Sequence, residues 1–225
     1  MLLILSLLMA GVRAQSYQFF NFGLPEGLCD KFTYTINQDP QGFLWVGTGA
    51  GLCRYDGKVF EQQFRGDSLP ASIAFSSLLD SRGRLWFGHE NGVLSMLENG
   101  SFSNFAPQDY PPSAINSIRE DSQGNIIALL QQSGLIVIGP ELERSIIGDD
   151  PSSQENPFAG KFMNCFMSTS GGSLLVGSND GLSLYAYDEG QKTYVESGEI
   201  AELKTLRSSS PKFHDDQCDP RFAER

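Results

Sequence analysis

The chain has 225 residues, with 16 Lys and Arg set against 27 Asp and Glu for a net charge of −11. That balance, with no basic cluster to interrupt it, opposes binding to nucleic acid or anionic membrane, where phosphate has to be neutralised by cations. The four cysteines, Cys29, Cys53, Cys165 and Cys218, form no C-x-x-C pair, so zinc and thioredoxin-like chemistry lack a framework.

Met1 to Ala10 is apolar apart from Ser6 and too short to cross a bilayer. Val12-Arg13-Ala14 places small residues at −3 and −1 before Gln15, so residues 1–14 read as a secretory signal peptide and the chain as exported. Export permits disulfides. Cys29 and Cys53 could meet, whereas Cys53 and Cys165 also read as small buried apolar residues in strands. The aromatic run Tyr17 to Phe22 is expected to form a strand.

Asp39-Pro40-Gln41-Gly42 is a β-turn, with Pro presetting φ and Gly closing it. Phe43 to Thr48 is a short apolar strand, Gly49-Ala50-Gly51 a tight connection, and Leu52 to Tyr55 the next strand, ended by the hairpin signal Asp56-Gly57. The pattern recurs. Asp80, Gly83, Trp86, Gly88 and Gly92 each follow Asp39, Gly42, Trp45, Gly47 and Gly51 by 41 residues. Asp121 and Gly124 repeat it after another 41, with Ile127 in place of Trp, Leu129 in place of Gly, and Gly134 one residue late. A fourth copy runs from Thr169 through Gly172, Leu175 and Gly177 to Gly181, the added length lying in the Pro- and Ser-rich stretch 148–159.

An alternating strand precedes each copy (Phe32–Gln38, Ile73–Leu79, Ile115–Glu120, Phe162–Met167). Another follows it (Lys58–Phe64, Ser101–Phe105, Arg144–Ile147, Thr193–Glu196). Four strands in each period of about 40–45 residues make a β-propeller blade. A β-sandwich would also space strands evenly, but without a repeated turn–strand–turn signature. The expected fold is therefore all-β: a partial propeller of about four four-stranded blades, the open arc of a larger ring. Its blades cover about residues 32–70, 73–111, 115–148 and 162–197 within a domain at 15–198, and an aperiodic tail follows at 199–225. In that scheme Tyr17–Phe22 would be the outer strand of a closing blade. The Trp fills the wedge between blades, so Trp45→Ala should cost roughly 3–5 kcal/mol, and the Gly after it lets the neighbouring backbone approach.

The core of residues 39–55 resembles the two-component regulator propeller repeat, D-x-x-G-x-L-W-x-G-T-x-x-G-L-x-R-Y. The second copy departs from it at His89, and the third and fourth lack the Trp. Gly23 to Leu28 also resembles the opening of such sensors. The resemblance implies the periplasmic input region of a hybrid two-component sensor, reading carbohydrate breakdown products for a histidine kinase. It implies an oligosaccharide ligand, further blades in a longer parent chain and no cofactor.

No catalytic set emerges from the residues themselves. His89 stands where the first repeat has Thr48 and the fourth has Ser178, so it reads as a turn-stabilising polar group. His214 with Asp215 and Asp216 lacks the further ligands of a metal site. No G-x-S-x-G is present. Asp39, Asp80 and Asp121 each supply one carboxylate per turn, too few for calcium, and read as turn initiators. Tyr55, Phe60 and Tyr110 are the aromatic ligand candidates. The loop at 149–157 reads as a surface connection. One rival reading is an extracellular propeller enzyme of polysaccharide lyase or glycosidase type, which would need paired carboxylates or a His/Tyr/Arg group at one place; the other is a non-functional truncated remnant that binds nothing. Open sheet edges would favour self-association.

Overall fold

The computed structural model describes residues 19–63, 69–70, 72–105, 113–148, 158, 160–169, 172–188 and 193–197. The expected signal peptide at 1–14, residues 149–157, Tyr110, His214, Asp215, Asp216, Cys218 and residues 199–225 lie outside them. Among the described residues, sixteen strands form four antiparallel sheets, each a meander of four strands in sequence order. Blade 1 comprises β1 (Thr33–Gln38), β2 (Leu44–Thr48), β3 (Gly51–Tyr55) and β4 (Phe60–Gln63). Blade 2 comprises β5 (Ala74–Leu79), β6 (Leu85–His89), β7 (Leu94–Glu98) and β8 (Ser101–Phe105). Blade 3 comprises β9 (Ile115–Glu120), β10 (Ile126–Leu130), β11 (Gly134–Ile138) and β12 (Arg144–Ile147). Blade 4 comprises β13 (Met163–Ser168), β14 (Leu174–Ser178), β15 (Gly181–Asp188) and β16 (Thr193–Glu196).

Successive first strands lie side by side, β1 against β5, β5 against β9 and β9 against β13, so the sheets fan out from one line of inner strands. Strand alternation decides what each face carries. In β2, Trp45 and Gly47 look toward blade 2, while Leu44, Val46 and Thr48 look away. Trp45 is buried with Leu52 against Ala74, Leu85, Phe87 and Leu97 of blade 2. Trp86, Leu94 and Met96 are buried in the same way against Ile115, Ile126 and Ile136 of blade 3. Ile127, Leu129 and Leu135 meet Phe166, Leu174 and Val176 of blade 4. Each buried Trp contributes about 2–3 kcal/mol by area. The two ends of the arc are different: Ile36 on blade 1 is 63% exposed, and Leu182 on blade 4 is 61% exposed.

One carboxylate ties each turn to its waist. Asp39 Oδ1 accepts the backbone N–H groups of Gln41 (3.0 Å) and Phe43 (2.9 Å), and Oδ2 accepts the indole N–H of Trp45 (2.8 Å). Asp80 repeats this with Arg82, Arg84 and Trp86. In blade 3 there is no indole, and Asn125 Nδ2 donates to Asp121 Oδ2 instead (2.8 Å). In blade 4, where both Asp and Trp are missing, Thr169 Oγ1 accepts the Ser173 N–H (3.2 Å). Loss of the ring and loss of the carboxylate thus follow one another along the chain. Gly42, Gly83, Gly124 and Gly172 close these turns at φ 94°, 79°, 82° and 81°, where a side chain would be strained. A Cβ on Gly47 would sit 2.5 Å from the Ala74 carbonyl oxygen of the next blade, so a larger residue there would push β5 away.

The amino-terminal segment departs from the sequence expectation. Phe19 to Phe22, the described part of the Tyr17–Phe22 run, is not a strand; Phe19 is 93% exposed, and a 3-10 turn follows at Leu24–Glu26. Phe22 instead folds onto the outward face of blade 1, its ring 5.5 Å from Tyr55 and 5.8 Å from Phe60. Cys29 is disulfide-bonded to Cys53 and fastens the segment there. Cys53 is therefore buried, but not as a free thiol. Cys165 is exposed rather than buried, because it lies opposite Gly177 on the outward face of blade 4.

Candidate functional site: the cleft between blades 1 and 2

At the end of the blades that carries the Asp turns, a cleft of about 650 Å³ opens between blades 1 and 2. Its floor is apolar: Phe43 and Trp45 from blade 1, and Leu85, Leu97 and Phe102 from blade 2. Trp45 and Phe102 meet edge to face at 5.7 Å. The rim is polar, with Gln41, Arg54 and Gln63 on one side and Arg82, Glu98 and Asn99 on the other. Arg54 and Gln63 reach the cleft because they pair across the sheet with positions on the Trp45 face: Arg54 lies opposite Trp45, and Leu52, next to it on that face, lies opposite Gln63.

The corresponding gap between blades 2 and 3 is bridged. Arg82 Nη1 donates to the Pro140 carbonyl oxygen (2.6 Å). Ser81 donates to Glu120 through its backbone N–H (2.8 Å) and its hydroxyl (2.5 Å). One repeat earlier, Pro40 stands for Ser81, Gln41 for Arg82 and Leu79 for Glu120. Proline has neither N–H nor hydroxyl to offer and a leucine side chain accepts nothing, so the Ser81–Glu120 bonds have no counterpart there. Below the cleft, blades 1 and 2 stay joined by the Trp45 cluster and, on the inner strands, by the Thr35 and Ser77 hydroxyls, which bond at 2.6 Å. A smaller cleft of about 210 Å³ lies between blades 3 and 4, beside Asp121, Gln123, Tyr187 and Tyr194. Burial pushes the Tyr194 hydroxyl up to about 12, with Asp121 and Tyr187 adding to the effect.

Charge around the large cleft is mostly committed. Asp80 and Arg84 form a buried ion pair, Nε to Oδ2, at 2.7 Å. Burial pushes the Asp80 carboxyl up, but the Trp86 indole, the Arg84 backbone and the Arg84 guanidinium together outweigh it and hold the carboxyl below its ordinary value. Arg54 lies over the Phe43 ring at 4.7 Å and donates through Nη2 to Glu61 (2.6 Å). Its Nε is buried and has no hydrogen-bond partner.

The sequence-selected candidates separate. Trp45 and Trp86 sit in the inter-blade core. Tyr55 and Phe60 lie outside the cleft, stacked on each other at 4.4 Å, and line an apolar groove of about 370 Å³ on the outward face of blade 1. Thr48 and Ser178 hold their turns through Gly51 O and Gly181 O. His89 does not do the same with its ring, which bonds the Ser95 hydroxyl (3.0 Å), itself a donor to Asn104. Burial, slightly offset by the Ser72 backbone, pushes His89 down to about 4. Among the described residues no group of three or more His, Cys, Asp or Glu is placed to hold a metal. Arg54, Gln63 and Phe102 went unselected, although pleat parity with Trp45 was the signal that places the first two on its face.

A fan of meandering sheets, each wedging a waist residue into the next, defines a β-propeller, here an open arc of four blades. Residues 27–50 match the family described as the two component regulator propeller, so the first blade carries a repeat of that kind. No curated protein matches the sequence significantly. Among solved structures, the chain is similar to the extracellular domain of the hybrid two component system BT4673 from B. thetaiotaomicron (TM-score 0.56, 21% identity, 74% of this chain and 23% of that one). It is also similar to the corresponding domain of BT3049 from the same organism (TM-score 0.53, 19% identity, 78% of this chain and 23% of that one). Virginiamycin B lyase from Staphylococcus aureus shares the fold as well (TM-score 0.56, 14% identity, 76% of this chain and 56% of that one). The chain thus spans less than a quarter of the sensor domains and little more than half of the lyase. At these identities the likeness establishes the fold.

Proposed function

We propose that this chain is the ligand-reading propeller segment of an exported two-component sensor, and that it binds a carbohydrate breakdown product in the blade 1–blade 2 cleft without transforming it. The observation that carries this reading is the cleft itself. An aromatic and aliphatic floor faces the apolar C–H face of a sugar ring, and a rim of planar amide and guanidinium groups suits adjacent hydroxyls. About 650 Å³ lies within the range of small-molecule sites. The family match at residues 27–50 supports the sensor class, and the leader-like residues 1–14 support export. Among the described residues no helix is long and apolar enough to cross a membrane.

The rival is catalysis of the kind the lyase performs. His89, the one histidine among the described residues, is buried and bonded to Ser95, which leaves it poorly placed as a general base. Calorimetry with an oligosaccharide panel, followed by product analysis, tests the two readings. Saturable binding with the sugar recovered intact supports the sensor; release of cleaved product overturns it.

A further inference from the structure

We infer that the ligand of this cleft carries a carboxylate, and that Arg54 reads it in exchange for Glu61; the inference rests on the cleft being a saccharide site. Arg54 is a rim group with a buried, unused donor. Its guanidinium is held flat over Phe43 (4.7 Å), its Nη2 meets Glu61 (2.6 Å), and its Nε is buried with no partner. A guanidinium is most stable when a carboxylate takes two parallel N–H bonds from it, and here the bound carboxylate takes one. A buried N–H without an acceptor costs free energy that a better-fitting anion would recover.

The neighbouring acid cannot fill that place. Asp39 Oδ1 already accepts two backbone N–H groups and Oδ2 the Trp45 indole, so its carboxylate is spent on its own blade. Glu61 is 51% exposed and Arg54 32%, so their single bond is open to competition from solvent. Glu61 therefore acts as an internal placeholder. An incoming carboxylate replaces it on Nη2 and also takes Nε–H, while the sugar ring settles on the Phe43–Phe102 floor. An acidic disaccharide matches this chemistry better than a neutral one.

The test is calorimetric titration of the full chain with digalacturonate, with the neutral digalactoside of the same linkage, and with acetate. The acidic sugar is expected to bind roughly tenfold more tightly than the neutral one, an advantage that shrinks with added salt. Arg54→Gln should reduce that ratio to about one, and Glu61→Gln should tighten digalacturonate binding roughly threefold or more by removing the competitor. A gain of affinity cannot come from misfolding, so the Glu61 variant keeps the test decisive. Equal affinities in the unmodified chain, a preference that survives Arg54→Gln, or weakened binding in Glu61→Gln would overturn the inference. Acetate binding as tightly as the acidic sugar would overturn its saccharide part. Neutral binding without acidic preference would leave the proposed function standing; binding of neither sugar would remove both.

Discussion

The gap between blades 1 and 2 and the gap between blades 2 and 3 come from the same repeat, yet one is a cleft and the other is bridged. Both bury a Trp whose indole bonds the turn Asp six residues earlier. Both place a Gly where the next inner strand presses in. They part at the periphery, where Ser81, Arg82 and Glu120 cross one gap and Pro40, Gln41 and Leu79 stand at the other. The waist holds the blades together, and three side chains at the rim decide whether a gap is bridged or left open.

The largest effects should come from the waist of the bridged gap. Trp86→Ala is expected to cost about 3–5 kcal/mol in chemical denaturation, since the ring is fully buried. Asp80→Ala should cost a similar amount, about 3–5 kcal/mol, because it leaves the buried Arg84 cation uncompensated. Asp39→Ala removes the equivalent carboxylate without stranding a cation and should cost only about 1–3 kcal/mol. Equal losses at Asp39 and Asp80 would mean that the ion pair does not distinguish the two gaps.

Reducing the Cys29–Cys53 bond should come next. It frees a loop with a sequence separation of 24, a loss of about 3 kcal/mol on the chain-entropy account, read as a lowered denaturation midpoint with and without reductant. The acid response should be of similar size and should trace to blade 2. The unfolded chain takes up a proton on His89 near 6.5, whereas the folded chain holds the ring neutral until about 4. Stability should therefore fall as pH drops from 6.5 to 4, by up to about 3 kcal/mol, and His89→Gln should flatten that limb. Asp80, held below its ordinary value in the fold, contributes stability above that value and loses it at still lower pH. The smallest effect belongs to Arg82→Ala, below about 1 kcal/mol because the bond to Pro140 is exposed, although it should loosen the blade 2–blade 3 rim.

Most of the fold was legible because its cause is local. The D-x-x-G turn is bonded within five residues, and the strands at Ile115–Glu120, Arg144–Ile147 and Thr193–Glu196 fall where alternation and spacing put them. The bond from Asp39 or Asp80 to the indole six residues on was not read from the sequence, although it explains why Asp and Trp recur together in the first two blades. The aromatic run ending at Phe22 looked like a strand because composition does not say whether a partner strand is there to pair with it. The cleft was illegible for a related reason: it exists through a bridge not made, and Arg82 and Pro140 lie 58 residues apart. Tyr55 and Phe60 drew attention as aromatics, but parity sets them on the opposite face from Trp45.

The central claim is that ligand enters between blades 1 and 2 at the Asp-turn end. Hydrogen exchange of the full chain with and without saturating digalacturonate tests it most directly. Protection should appear at the turn of residues 39–43 and in residues 98–102, while the turns at 48–51 and 89–92 at the other end of the blades stay unchanged. Protection confined to those opposite turns, or to the outward groove beside Tyr55 and Phe60, would contradict it.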